Sequence, residues 1–320
     1  MLDPSPVNRP RNPHSSAYYR CVEDHFETFE QVYEDRFERQ YGFFRSYVMK
    51  VIYRYLDCGD LHTGFARVKC RDCCHEYLLA FSCKRRHFCP SCHQKRVVEF
   101  GEWLCREVIK LVPHRHFVFS IPKILRRYFL YDRKLLSELR RCAWETLKVY
   151  LRSFVSGKDA VPGAVIAIQT FGDFLGFNPH CHILCTDGCF LGRGTFRVAH
   201  TIVRKELEEI FRHKVFKMLL CKGKITEDLL SMLMSWRHSG FNVFCGPRIY
   251  PREETVMENL ARYIIRASFS QERMSYVQEE GIVVYQSKDG KERKAYDALE
   301  WLGAICSYVP GKGESRHWRE

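Results

Sequence analysis

No apolar run in this 320-residue chain is long enough to span a bilayer, and no signal segment opens it. Neither a membrane-embedded nor a secreted protein is expected. No internal repeat or low-complexity tract is visible, so a solenoid or a tail-like chain is excluded. A P-loop is missing as well, which argues against chemistry driven by nucleoside triphosphates. Acidic residues are in deficit, 38 Asp and Glu against 51 Lys and Arg, for a net charge of +13. That balance favours a polyanionic partner, nucleic acid first. An anionic membrane surface is the rival, without a membrane anchor to support it.

Cysteine is the residue in excess. There are 16 cysteines, and half lie between Cys58 and Cys105. Without a secretory segment, reduced thiols and a structural metal fit better than disulfides. Cys70-x-x-Cys73 and Cys89-x-x-Cys92 are fifteen residues apart, the spacing of a zinc ribbon whose two knuckles close one tetrahedral site around a hairpin. Cys74 sits beside the first knuckle. Cys58, His62, Cys83 and His87 are left over and offer a second zinc site, so one or two structural Zn ions are expected. The same stretch carries Lys84, Arg85, Arg86, Lys95 and Arg96. A basic zinc module without an open-site carboxylate reads as a DNA-docking surface and not as a catalytic zinc.

The remaining patterns divide the chain into a disordered, Pro- and Asn-rich leader (1–22), a helical and zinc-binding domain (23–112) and a larger domain (113–320). Apolar residues from Phe26 to Tyr55 recur at three- and four-residue spacing, which predicts a helix pair. Pro113 stops a helical stretch, and His116-Phe117-Val118-Phe119-Ser120-Ile121 reads as a buried strand. His114-Arg115-His116 at its entry reads as structural or phosphate-contacting. Residues 123–154 read as long, basic helix. Residues 163–170 and 178–186 read as two strands of a hairpin, followed by helices and by a helix near 253–267 that carries Tyr263 between Arg262 and Arg266.

The second strand of that hairpin holds Asn178-Pro179-His180-Cys181-His182. Strand alternation puts His180 and His182 on one face, roughly 6–7 Å apart, where two imidazoles can share one cation. A symmetric count about the loop places Gln169 opposite His180, so Gln169 or Asp173 is expected as a third ligand. A lone His-x-His is a weak signal, but here it is joined by a zinc module upstream and a tyrosine among arginines downstream.

Together, Cys70–Cys73, Ser82-Cys83-Lys84-Arg85-Arg86-His87-Phe88-Cys89-Pro90-Ser91-Cys92, Pro113 to Pro122, Asn178 to His182 and Leu260 to Arg266 resemble the HUH transposases of the rolling-circle insertion-sequence type, the ninety-one family. The resemblance implies an α+β chain, with an antiparallel-sheet HUH nuclease domain flanked by helices and preceded by a small helical and zinc-ribbon domain. It implies Mg²⁺ or Mn²⁺ on His180 and His182 and Tyr263 as nucleophile, with Arg262 and Arg266 favouring the phenolate. The activity implied is nicking and rejoining of single-stranded or hairpin DNA at element ends through a 5′-phosphotyrosine, in the bacterial cytoplasm at the nucleoid. An HUH replication initiator or relaxase, or a catalytically dead zinc-dependent DNA-binding protein, are the alternatives. Asn259 stands one helical turn before Tyr263, where the best-known members carry a second tyrosine. A single-tyrosine enzyme is therefore expected, reusing its nucleophile or pairing as a homodimer. The family's aromatic, basic tail after Tyr308-Val309-Pro310 is short here, which implies a truncated copy.

Overall fold

The computed structural model describes residues 12–310 apart from 86, 156, 158 and 193, together with the backbone of 317–319. Arg86 and residues 1–11 of the expected leader lie outside the described residues. In chain order the elements begin with α1 (Ala17–Arg36), α2 (Glu38–Tyr41) and α3 (Ser46–Leu56), then the strands β1 (Phe65–Lys69) and β2 (Glu76–Ala80). Next come α4 (Pro90–Trp103), a π-helical turn at Leu104–Val108, β3 (His114–Ser120), α5 (Lys123–Tyr131) and α6 (Lys134–Arg152). The hairpin strands are β4 (Ala164–Phe171) and β5 (Phe177–Thr186), followed by β6 (Gly188–Leu191), β7 (Thr195–Val198), α7 (Arg204–Cys221) and α8 (Glu227–Met234). The chain continues through β8 (Asn242–Ile249), α9 (Glu254–Ile264), β9 (Met274–Val277), β10 (Ile282–Gln286), β11 (Arg293–Asp297), α10 (Ala298–Ser307) and β12 (His317–Arg319). The architecture is α+β with antiparallel sheets, as the sequence implies.

These elements form two compact units, one of residues 1–98, 173–175 and 267–312 and the other of 99–172, 176–266 and 313–320. Two sequence-based boundaries need correction. The leader does not run to residue 22, because Ser16 caps α1 by accepting the Tyr19 amide and the helix starts at Ala17. Nor does one domain run from 113 to 320, because residues 267–312 return to the first unit. There the hydroxyl of Tyr276 on β9 bonds His25 (2.8 Å) and Asp24 (2.9 Å) of α1, and Arg45 donates to the Cys306 carbonyl (2.8 Å). Trp301 of α10 is fully buried in this unit against Phe269, Tyr285 and Tyr296. Pairings some 250 residues apart leave no local sequence pattern.

In the second unit, five strands form one sheet in the order β12-β4-β5-β3-β8. Alternation gives it two chemically different faces. Phe117, Phe119, Ile166, Ile168, Cys181, Ile183 and Cys185 face a core completed by α5, α6 and α7. The intervening residues His116, Gln169, His180 and His182 take the other face. Burial along Ala164–Phe171 and Pro179–Thr186 shows that β4 and β5 are covered on both faces.

Candidate active site

The hairpin register pairs Gln169 with His180 and Ala167 with His182, as the symmetric count expects. On the other flank Val118 pairs with His182 and Ser120 with His180. His116 therefore lies diagonally across from His182, and its Nε2 is 3.0 Å from His182 Nδ1, with the two rings stacked at 7°. His180 Nε2 is 3.1 Å from His182 Nε2. His180 Nδ1 donates to the Asn178 carbonyl at 2.6 Å. The outcome is a row of three buried imidazoles, of which the sequence identified two. From sequence His116 reads as structural or phosphate-contacting. The signal that could have found it is the alternation of β3, which gives His116 the parity of the histidine face.

Burial holds the imidazoles of His116 and His180 down to about 4, and that of His182 to about 2, with its neighbours His180 and His116 pressing it lower. All three are neutral at pH 7. Since His180 Nδ1 carries its proton toward Asn178, His180 Nε2 presents a bare lone pair toward His182. Two buried imidazole nitrogens 3.1 Å apart, one already bare, fit a shared divalent cation. His116 can satisfy His182 Nδ1 as donor or acceptor, so either His182 tautomer is accommodated.

Acidification is expected to weaken this unit. Unfolded imidazoles protonate near pH 6.5, whereas the folded His116 and His180 resist until about 4. The unfolded state takes up protons first, so stability is lost as pH falls from about 6.5 toward 4, on the order of 2 kcal/mol per imidazole at pH 5. Urea midpoints of metal-free protein at pH 7.5 and 5.0 measure this, and a midpoint unchanged or higher at pH 5.0 would contradict it.

Tyr263 stands on α9 with its ring edge-on to His182 (5.5 Å between centroids) and His116 (6.2 Å), and it is 40% exposed, open to a substrate. The Arg266 guanidinium lies over the phenol ring at 4.7 Å. Arg262, expected beside it in the same role, instead pairs with Glu258 one turn back. Gln169 does not serve as the expected third ligand in this arrangement. Its amide donates to the Ile264 carbonyl at 2.7 Å, tying the end of α9 to β4 and so fixing the Tyr263 helix over the histidine face. The side chain of Asp173 lies outside the described residues. Arg126 on α5, half-buried, bears on His180 together with Arg266; from sequence it is one cation of a basic helix.

The first unit holds a second cluster. Cys58, Cys83, Cys89 and Cys92 are buried with their sulfurs all within 4.8 Å of one another, a group of four ligands suited to a metal ion. The separations Cys58–Cys92, Cys83–Cys92 and Cys58–Cys89 are 3.8, 3.6 and 3.7 Å. A tetrahedral zinc with bonds of about 2.3 Å places its sulfurs about 3.8 Å apart, so the set fits. Backbone amides support the charged form, Cys83 N pointing to Cys58 Sγ and Arg85 N to Cys83 Sγ at 3.4 Å each. This corrects the expected ligand pairing. Cys70 and Cys73 are exposed at the tip of the β1–β2 hairpin, five strand residues away from its base, and Cys89–Cys92 pairs with Cys58 and Cys83. His62 bonds Asp60 at 2.9 Å and His87 is exposed, and neither joins the cluster. Of the expected docking cations, Lys84 and Lys95 are exposed and Arg85 donates to the Tyr47 hydroxyl.

Two stretches of the chain match known families. Residues 26–121 match the family model described as "Transposase zinc-binding domain" and residues 163–317 the one described as "Putative transposase". A transposase for insertion sequence element IS801 from Pseudomonas savastanoi pv. phaseolicola is 29% identical over 160 residues, covering 49% of this chain and 37% of that protein. No solved structure matches the chain. The buried cysteine cluster and His116 lie within the first match, and His180, His182 and Tyr263 lie within the second. Over these two stretches the chain is similar to transposase families, and it spans 37% of the length of the curated relative it matches. No helix among its described residues is long and apolar enough to cross a membrane.

Proposed function

We propose that this chain nicks and rejoins single-stranded DNA through Tyr263, moving an insertion sequence by a rolling-circle-like route. The observation that carries the reading is the Tyr263 ring, held edge-on to His182 at 5.5 Å and open to solvent on the histidine face. The phenol oxygen attacks a backbone phosphorus in line with the 3′-oxygen. The bond from phosphorus to tyrosine forms, the bond to the 3′-oxygen breaks, and the leaving oxygen takes up a proton to become a free 3′-hydroxyl. The 5′-phosphotyrosine conserves the ester for rejoining, and reversal with a new 3′-hydroxyl completes transfer without ATP.

A phenol is a weak nucleophile at pH 7 unless positive charge favours its anion. Arg266 supplies that charge above the ring. His180 and His182 would hold Mg²⁺ or Mn²⁺, which when bound neutralises charge on the phosphate and orients it. Arg126 adds a fixed cation near His180. With Asn259 one turn before Tyr263, a second strand transfer requires reuse of the same tyrosine or a second copy of the chain. The test is to incubate the protein with a hairpin-bearing single-stranded oligonucleotide and Mn²⁺. A protein–DNA adduct surviving denaturing electrophoresis is expected. Binding without any adduct would leave a DNA-binding protein in place of a strand transferase.

His116 serves this site by orienting His182. In His116→Phe the stacked ring is kept while the nitrogen facing His182 Nδ1 is lost. Mn²⁺ affinity, measured calorimetrically without DNA, is expected to fall about 10- to 100-fold, the range seen when the outer partner of a ligating histidine is removed. Unchanged affinity would make His116 a packing residue only.

A further inference from the structure

We infer that the second unit carries a separate nucleotide-binding pocket for single-stranded DNA, on the sheet face opposite the histidines. It rests on the DNA reading proposed above. The cavity, about 640 Å³, is lined by Arg115, Arg204, Arg248, His200 and Tyr250 among others. Its volume falls within the range of small-ligand sites and admits a nucleotide. Arg115 neighbours His116 on β3, and alternation turns it to the other face, where Phe117 and Phe119 enter the core.

The pocket is built around a buried charge. Arg115 and Arg248 are direct cross-strand partners on β3 and β8, and like charges so placed repel. Asp187, fully buried, reconciles them. Its Oδ2 accepts from Arg248 Nε and lies 2.9 Å from Arg115 Nε as an ion pair. Carbonyls hold one further donor of each arginine, Gly246 for Arg115 at 3.1 Å and Ala199 for Arg248 at 3.0 Å. Gly188 makes this placement of Asp187 possible. At its φ of +152° an added Cβ would lie 2.0 Å from the Arg197 carbonyl oxygen, so only glycine lets the chain turn into β6 there.

Two guanidiniums gathered on one carboxylate are pre-oriented at the cavity wall. Arg204, exposed at the start of α7, adds a third. Three guanidiniums against one carboxylate leave a net charge of two, suited to a phosphodiester. Tyr250, 58% exposed at the same cavity, offers the flat apolar surface on which an unpaired base stacks. Arginine-held phosphate beside an exposed aromatic is the combination that single strands use, and a duplex cannot offer its base face to Tyr250.

The experiment uses the full chain and a fluorescent single-stranded oligonucleotide, with affinity followed by anisotropy from low to moderate salt. Arg204→Ala is expected to weaken binding about 3- to 10-fold and to lower the salt slope by about 0.7, one phosphate contact on a single strand. Tyr250→Ala is expected to weaken single-strand binding about fivefold or more while leaving duplex binding unchanged. Lys288→Ala, an exposed cation in the first unit, is the control for general charge. In parallel, 5-iodouracil-substituted DNA is photo-crosslinked to wild-type protein, and the adduct is expected on the peptide containing Tyr250. Unchanged slopes in Arg204→Ala with crosslinks mapping elsewhere would overturn the pocket. The two proposals fail separately: a covalent Tyr263 adduct with a silent Arg204→Ala sinks the pocket alone, and an Arg204-dependent slope without any adduct sinks the strand-transfer reading alone.

Discussion

Replacing Tyr263 by Phe is expected to abolish the covalent DNA adduct, with a loss of at least about a thousandfold, while leaving the fold and DNA binding intact. The ring contacts with His116 and His182 and the Arg266 guanidinium above it do not need the hydroxyl. The phenol is 40% exposed, so its loss should change stability by no more than about 0.5 kcal/mol. The size of the catalytic loss follows from what is removed. The hydroxyl oxygen is the atom that becomes bonded to phosphorus, and no neighbouring group can replace it in a site whose other members are imidazoles and guanidiniums. Removal of a covalent nucleophile has cost about a millionfold where it has been measured, against far less for a positioning group. Denaturing electrophoresis of radiolabelled hairpin DNA reads the adduct, and anisotropy on the same preparation reads binding. Tyr263→Phe that forms adduct at the wild-type rate would remove Tyr263 from the reaction.

What the sequence made legible follows the range of the interactions. The hairpin of β4 and β5, its register and the shared face of His180 and His182 are local facts, set by alternation over a dozen residues. The sequence also placed a strand at His116–Ile121, but not the pairing that brings His116 beside His182 across 66 residues. Arg262 and Arg266 looked equivalent because both flank Tyr263. The structure separates them by a competing partner, since Glu258 lies one turn before Arg262. Spacing suggested two symmetric knuckles, yet spacing reports only that two cysteines can meet one ion. Which pairs meet depends on where Cys58, at the end of α3, is carried by packing of Tyr55 against Tyr18 and Phe88. The return of residues 267–312 to α1 is invisible for the same reason: long-range burial leaves no periodicity.

That packing makes the cysteine pairing the most consequential feature to test. Cys89→Ser is expected to lose zinc and to unfold the first unit, whereas Cys73→Ser is expected to keep both. Phe88, next to Cys89, packs its ring 5.5 Å from Tyr18 and 5.2 Å from Tyr55 and is almost fully buried. A change at Cys89 therefore reaches directly into the aromatic core that joins α1 to α3. Cys73 sits at the exposed tip of a two-stranded hairpin with no such neighbours in the core. Four thiolates less than 5 Å apart repel one another unless a cation lies among them, so loss of the ion exposes that repulsion as well as removing the bonds. In zinc-finger peptides binding contributes about 10–16 kcal/mol at pH 7, as much as the whole stability of an ordinary domain. Native mass spectrometry should count one zinc on wild type and Cys73→Ser and none on Cys89→Ser, with far-UV dichroism reporting the loss of helix. The reverse result, zinc lost from Cys73→Ser and retained in Cys58→Ser, would restore the ribbon pairing of Cys70 and Cys73 with Cys89 and Cys92 and refute the cluster as the zinc site.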